Sequence, residues 1–186
     1  NLLSSEFMVV NDVLAKYYGV ALPSSGHRFS RVPASEGRGG ILTQAAFLLA
    51  HGDGEDAHAV NRGVWLRGRL LGDPPRDPPP EVPALSDLDE ANPDASGLST
   101  KERLAIHRKG ICLDCHADID SWGIPMESYD ATGKLRDKVL RLTPDHKIKR
   151  RILRVFDESE ARGSPVHGMK ELQTLLREKH AKDFAR

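Results

Sequence analysis

The pentapeptide Cys112-Leu113-Asp114-Cys115-His116 contains both cysteines of this chain. The pattern Cys-x-x-Cys-His is the attachment signature of haem c. Two thiols three positions apart can form thioethers with both vinyl groups of one porphyrin, and the next residue then presents an imidazole to the iron as its proximal ligand. The motif therefore predicts one covalently bound haem c, anchored by Cys112 and Cys115 and ligated by His116.

Three other interpretations of the two cysteines stay open at the level of the sequence. A disulfide between Cys112 and Cys115 would close a very small loop and add little stability. A thioredoxin-like redox pair would follow a strand, whereas the residues before Cys112 have the pattern of a helix. A zinc site needs four ligands, and the sequence has no second cysteine pair to complete one.

Composition limits the classes of protein that the chain can belong to. Its 186 residues include 27 basic and 27 acidic side chains, and 39% are hydrophobic. No apolar run approaches the roughly 18–20 residues that cross a bilayer, and zero net charge argues against a nucleic-acid partner bound over the whole surface. The charge is unevenly distributed: residues 1–133 carry 12 positive and 19 negative side chains, and residues 134–186 carry 15 and 8. The apolar content is low, and a haem would add a large apolar body to the core.

Hydrophobic periodicity predicts a mainly α fold with weak strand patterns. The first helix is expected over residues 2–18, with Gly19 as its stop, and Ser99 opens a later helix with a capping box completed by Glu102. The predicted helices are residues 2–18, 41–50, 58–71, 99–108 and 169–184.

Three segments are expected to be irregular or exposed. The proline-rich run 73–83 predicts an extended segment, either a linker or a strap over the domain surface. Residues 118–130 are expected to form a loop around the haem edge. Residues 134–154 are rich in lysine and arginine, which favours a solvated face over a patch for an acidic partner, anionic lipid or nucleic acid.

The sixth ligand of the predicted haem is open. Met126 lies ten residues after His116 in the expected loop, and a thioether ligand would raise the reduction potential. The competing explanation is that Met126 only packs in the core. His107, just before the motif, is the alternative ligand or a partner for a propionate. A more distant histidine such as His58, or an open site, completes the possibilities.

Several segments, taken in order, carry a family resemblance. They are Arg38 to Ala45, Arg62 to Trp65, Leu70 to Gly72, Glu102 to Arg108, Cys112 to His116 and Asp120 to Asp130 with Gly133. Together they resemble the planctomycete-type secreted multi-domain cytochrome c family, in which domains of unknown function follow one another. His107 fits the family pattern, whereas the family usually carries leucine at the position of Met126.

The resemblance implies a haem c protein exported to the periplasm or cell surface of a bacterium, and a chain that is part of a longer protein. It divides the chain into the tail of a preceding helical domain (1–33), a cytochrome c-like haem module (34–137) and the start of a C-terminal helical domain (138–186). Long irregular and proline-rich segments would separate the helices of the module.

Electron transfer is the leading functional hypothesis. Trp122, Tyr129 and the proline-rich run would cover the haem, and the partners would be redox proteins or other subunits of a larger complex. One alternative is a haem-dependent redox enzyme with an open or displaceable sixth ligand. Another is an assembly subunit whose haem mainly stabilises the fold. The sequence does not decide whether the chain is an enzyme.

Overall fold

The computed structural model describes residues 2–22, 26–54, 56–79, 97–142 and 150–183. The helices in these residues are α1 (Asp12–Tyr18), α2 (Ala45–Ala50), α3 (Ala59–Trp65), α4 (Thr100–His107), α5 (Ile111–Gly123) and α6 (Gly168–Lys179). The strands are β1 (Phe7–Val10), β2 (Ser30–Pro33), β3 (Lys138–Leu142), β4 (Arg150–Arg154), β5 (Glu158–Ala161) and β6 (Ser164–His167). Short 3-10 helices at Ile41–Thr43 and Ile124–Met126 and a π-helical turn at Leu66–Leu70 complete the described secondary structure.

The predicted N-terminal helix over residues 2–18 is wrong in its first half. Residues 7–10 form β1, which pairs antiparallel with β2 so that Phe7 lies opposite Pro33 and Val10 opposite Ser30. The sequence Phe-Met-Val-Val favours a strand because its side chains alternate between the two faces, with Met8 and Val10 buried. The helix begins only after Asn11, whose side chain accepts a hydrogen bond from the Leu14 amide at 3.1 Å.

Strands are more numerous than the weak sequence patterns suggest. The described residues contain three sheets of two antiparallel strands each, β1 with β2, β3 with β4 and β5 with β6. A two-stranded sheet has little regular alternation because only a few of its positions face the core. The protein thus mixes helices with short two-stranded sheets, and a cytochrome c-like topology stays a prediction.

Helices α3 and α5 cross with almost no side chain between them. A Cβ atom placed on Gly63 would lie 2.2 Å from the Ile119 carbonyl oxygen, and one on Gly123 would lie 1.8 Å from the Ala59 carbonyl oxygen. Such separations are far below van der Waals contact, so only glycine permits this approach of the two backbones. The crossing fixes the position of the helix that carries the cysteine motif.

The main hydrophobic core lies where α5 meets the C-terminal helix. Trp122 and Met126 pack in one buried cluster with Leu48 from α2 and with Leu172 and Leu176 from α6. The amphipathic helix predicted over 169–184 is thus confirmed as α6, residues 168–179. Because this cluster includes side chains from residues 3 to 176, α6 shares its core with the segment predicted to hold the haem.

Two of the segments expected to be irregular lie partly within the described residues. Residues 73–79 of the proline-rich run have no regular secondary structure, whereas residues 80–96 lie outside the described part. The basic segment supplies β3 and β4, and residues 143–149 between them also lie outside it. No helix in the described parts of the chain combines the length and apolar content needed to cross a membrane.

Candidate functional site

The cysteine motif occupies the first two turns of α5. The chain leaves α4 after His107 and turns at Gly110, whose φ of 55° lies in the left-handed region. The Cys112 amide donates to the Lys109 carbonyl at 3.2 Å, which starts α5 immediately after the turn. Because side chains three and four positions apart share one helix face, Cys112, Cys115 and His116 lie side by side.

The two thiols are free and partly exposed. The disulfide considered at the level of the sequence is therefore absent. In the described residues, the motif cysteines belong to no group of three or more side chains whose ligand atoms converge as a metal site requires. The zinc alternative thus lacks its further ligands within that part of the chain.

His116 is anchored by a carboxylate on its own helix. Its Nδ1 lies 3.0 Å from Oδ1 of Asp120, whose side chain is fully buried. Arg108 donates from Nε to the other oxygen, Oδ2, at 2.9 Å. These contacts order the imidazole through Nδ1, so Nε2 is the ring nitrogen suited to binding iron.

The residues of the motif fit a covalently attached haem. Two free cysteine side chains lie one helical turn apart, and the adjacent imidazole is oriented through its Nδ1 atom. This is the donor set that thioether attachment and proximal ligation require. Both cysteine residues are only partly buried, so neither is enclosed in the hydrophobic core.

The expectation of a loop over residues 118–130 is wrong for its first half. Helix α5 continues to Gly123 and is followed by the 3-10 helix Ile124–Met126. Pro125 lies in the first turn of this 3-10 helix, where a proline is compatible with helical geometry. This error concealed Asp120, since only a continuous helix reveals the (i, i+4) spacing from His116.

Met126 is not brought to the motif. Its side chain is fully buried in the main core. Met126 lies ten positions after His116, which corresponds to about 15 Å along the helix axis. Its proposed role as sixth ligand stays a prediction.

The alternative histidines have different placements. The side chain of His107 lies outside the described residues, although its backbone ends α4. His58 caps α3, with its Nδ1 accepting a hydrogen bond from the Asn61 amide at 3.2 Å. Burial lowers the pKa of His58, which favours the neutral, accepting form of its ring.

Trp122 and Tyr129, the aromatic residues expected to cover the haem, are both buried in the main core. The Trp122 ring contacts the His180 ring edge-on with a centroid separation of 5.4 Å. The Tyr129 hydroxyl donates to the Gly37 carbonyl, and burial raises the pKa of this phenol to about 12. In the described residues, both aromatic side chains have roles in packing the core.

A second polar cluster lies on the C-terminal hairpin. Ligand atoms of Asp157, Glu158 and His167 lie within 4.8 Å of one another. However, Nζ of Lys101 lies 3.7 Å from Oε2 of Glu158, and the Ser128 hydroxyl donates to Asp157. Lys101 thus links α4 to β5, and the ion pairs of His167 with Asp157 at 3.1 Å and with Glu158 at 4.0 Å already account for the cluster.

A family model covers the central part of the chain, from Arg38 to Val139. It describes PSCyt3, a protein of unknown function (DUF1588), and matches more than half of the residues. The chain belongs to the PSCyt3 family. This family is planctomycete-type and cytochrome c-related. The matched residues of the chain include the cysteine motif, Asp120 and Met126. No curated protein and no solved structure matches the chain.

Proposed function

We propose that the protein is an electron-transfer module that binds one haem c covalently through Cys112 and Cys115, with His116 as the proximal ligand. The observation that carries this proposal is the arrangement on α5, where two free thiols one turn apart precede an imidazole held through Nδ1. Membership of a cytochrome c-related family supports the same assignment.

Haem, when bound, supplies an iron centre that exchanges single electrons. The protein holds the group in place, orients the proximal imidazole and limits access of water. Attachment of haem c takes place outside the cytoplasm, so the proposal includes export to the periplasm or cell surface. Its partners would be redox proteins or other subunits of a larger exported complex.

The proposal is tested by producing the protein in the periplasm of a bacterium with haem c attachment machinery. A pyridine haemochrome spectrum of the denatured protein should show one covalent haem per chain. The double variant Cys112→Ala/Cys115→Ala should lose all covalent haem, whereas Ser121→Ala, on the same helix, should keep it. Absence of covalent haem from the folded, exported wild-type protein would refute the proposal.

A haem with a displaceable sixth ligand is the second candidate, which would permit redox catalysis. The burial of Met126 in the core, about 15 Å along the helix from His116, favours it. Carbon monoxide should then bind the reduced protein readily, and Met126→Leu should leave the visible spectrum unchanged. If Met126→Leu instead converts a low-spin spectrum to a high-spin one, methionine is the sixth ligand and the simple electron carrier is favoured.

A further inference from the structure

The polar chain Arg108–Asp120–His116 joins the end of α4 to the cysteine motif. Asp120 uses both carboxylate oxygens, Oδ1 toward His116 and Oδ2 toward Arg108, and its side chain is fully buried. The Arg108 side chain is 28% exposed, and that of His116 is 16% exposed. Asp120 is thus enclosed between the proximal ligand and a partly exposed cation.

A carboxylate acceptor has a specific effect on a ligating imidazole. When Nδ1–H donates to a carboxylate, the tautomer is fixed with the lone pair on Nε2, and that nitrogen becomes a stronger donor to a metal. A hydrogen bond to an ionised acceptor is roughly twice as strong as one between neutral groups. A more basic proximal imidazole stabilises the oxidised iron relative to the reduced iron, which lowers the reduction potential.

Arg108 opposes this effect. Its guanidinium shares the charge of Asp120 through Nε at 2.9 Å, so less negative charge is directed at His116. Because Arg108 lies in the connection between α4 and α5, the strength of the proximal hydrogen bond depends on how that connection is held.

We propose that Asp120 and Arg108 are positioning residues that set the reduction potential of the haem, Asp120 lowering it through His116 and Arg108 limiting that decrease. This proposal rests on the proposed function, since it requires a haem ligated by His116. It assigns a tuning role to two side chains that do not themselves contact the iron.

The first test is redox titration of the holoprotein carrying Asp120→Asn. Asparagine keeps the size and one hydrogen-bond acceptor but removes the charge, so the reduction potential should rise. Asp118→Asn is the matched control, because Asp118 lies on the same helix but pairs with Arg67 at 3.1 Å. Removing the negative charge of either Asp120 or Asp118 should raise the reduction potential through space. The proposal therefore requires a clearly larger rise in Asp120→Asn than in Asp118→Asn.

The second test, on a more exposed residue, is Arg108→Gln. Loss of this cation should lower the potential, opposite in sign to Asp120→Asn, and should do so more than Lys109→Gln at the neighbouring exposed position. If Met126→Leu shows that the sixth position of the iron is open, the iron–histidine stretching frequency of the reduced protein should also fall in Asp120→Asn and rise in Arg108→Gln.

The outcomes separate this proposal from the proposed function. Covalent haem in every variant, with potentials and stretching frequencies indistinguishable from those of the matched controls, would overturn the tuning role and leave the haem assignment intact. If Asp120→Asn does not fold, the difference in reduction potential between Arg108→Gln and Lys109→Gln decides whether the tuning role is correct. A lack of covalent haem in the wild-type protein would refute both.

Discussion

At the scale of single residues, Arg62 is the most heavily engaged buried cation among the described side chains. Its Nη1 donates to the carbonyls of Met126 and Tyr129, both at 2.8 Å, and its Nη2 to those of Leu48 at 3.3 Å and Asp130 at 2.9 Å. Burial lowers the pKa of Arg62 to about 10, so the group stays charged at neutral pH. One side chain thus fixes the turn that follows the motif helix against α2.

Replacing Arg62 by methionine should destabilise the protein by about 3–5 kcal/mol, because it leaves buried carbonyl oxygens without a donor. Arg69→Met, on the exposed side of the adjoining π-helical turn, should change the free energy of unfolding by less than about 0.5 kcal/mol. Urea denaturation followed by circular dichroism measures both. Equal losses in the two variants would contradict the role assigned to Arg62.

Glu127 is a buried carboxyl group beside Arg136, whose Nη2 lies 3.3 Å from Oε2. Burial raises the pKa of Glu127 above 4.5, and the cationic neighbours Arg136 and Arg62 only partly oppose that rise. The folded state therefore binds this proton more tightly than the unfolded state. The resulting stabilisation is complete below pH 4.5 and is lost as the pH rises through the folded-state pKa.

Glu127→Gln removes this pH dependence, so the stability of the variant relative to wild type should increase as the pH rises above 4.5. Glu102→Gln should instead differ from wild type below pH 4.5, because hydrogen bonds from the Ser99 side chain and backbone lower the pKa of Glu102, and wild type loses that stabilisation as the pH falls through this range. Thermal unfolding at a series of pH values compares the two. A flat or falling difference for Glu127→Gln would show that the pKa of Glu127 is not raised in the folded state.

At the scale of secondary-structure elements, the crossing of α3 and α5 positions the cysteine motif. Two glycines allow the contact, and Arg67 strengthens it by pairing with Asp118 of α5 at 3.1 Å and with Asp73 at 2.8 Å. The Arg67 side chain is only 10% exposed, whereas those of Asp118 and Asp73 are 39% and 47% exposed, so water partly screens both ion pairs. A shift of α5 would move Cys112, Cys115 and His116, the residues proposed to bind haem, together.

Gly123→Ala should force α3 and α5 apart and destabilise the protein by about 1–3 kcal/mol. Gly68→Ala is the matched control, since an added Cβ there would meet only Pro74 at 3.7 Å, and its effect should stay within about 1 kcal/mol. Chemical denaturation of both variants provides the comparison. If Gly123→Ala is as stable as Gly68→Ala, the crossing is looser than the structure indicates.

At the scale of the whole molecule, α6 is joined both to the N-terminal segment and to the central core. Gln173 donates through Nε2 to the carbonyls of Leu3 and Gly39, both at 2.7 Å. Leu172 and Leu176 are fully buried in the cluster that contains Trp122. The C-terminal helix is therefore expected to unfold together with the cysteine-motif helix rather than independently.

Leu172→Ala should cost about 2–5 kcal/mol because it removes a fully buried side chain and leaves a cavity. Lys170→Ala, on the exposed face of the same helix, should have little effect. Tryptophan fluorescence and far-ultraviolet circular dichroism should show one coincident, shifted transition for Leu172→Ala. Two separate transitions would instead support a C-terminal unit that folds independently.

Local signals in the sequence were sufficient for several elements. Gly19 and Gly72 mark helix ends and lie in the left-handed region, and Ser99 with Glu102 forms the predicted capping box. These features depend on interactions within a few residues, so they can be inferred from sequence alone. The β1–β2 pairing was missed because its strands are separated by about twenty residues and its stabilising contacts are not local.

The residues of the candidate site likewise fall into those that the sequence predicts and those that only the fold positions. The sequence by itself predicted a haem-attachment motif, since the spacing of Cys112, Cys115 and His116 is set by the chemistry of thioether attachment and does not depend on the rest of the fold. Only the tertiary structure placed Arg108 and Asp120 in the hydrogen-bonded chain that ends at His116. It also placed Met126 in the main hydrophobic core. Those positions depend on where α5 ends and on how α4, α3 and α6 pack around it. Such long-range packing is settled by burial of the whole chain rather than by any local pattern.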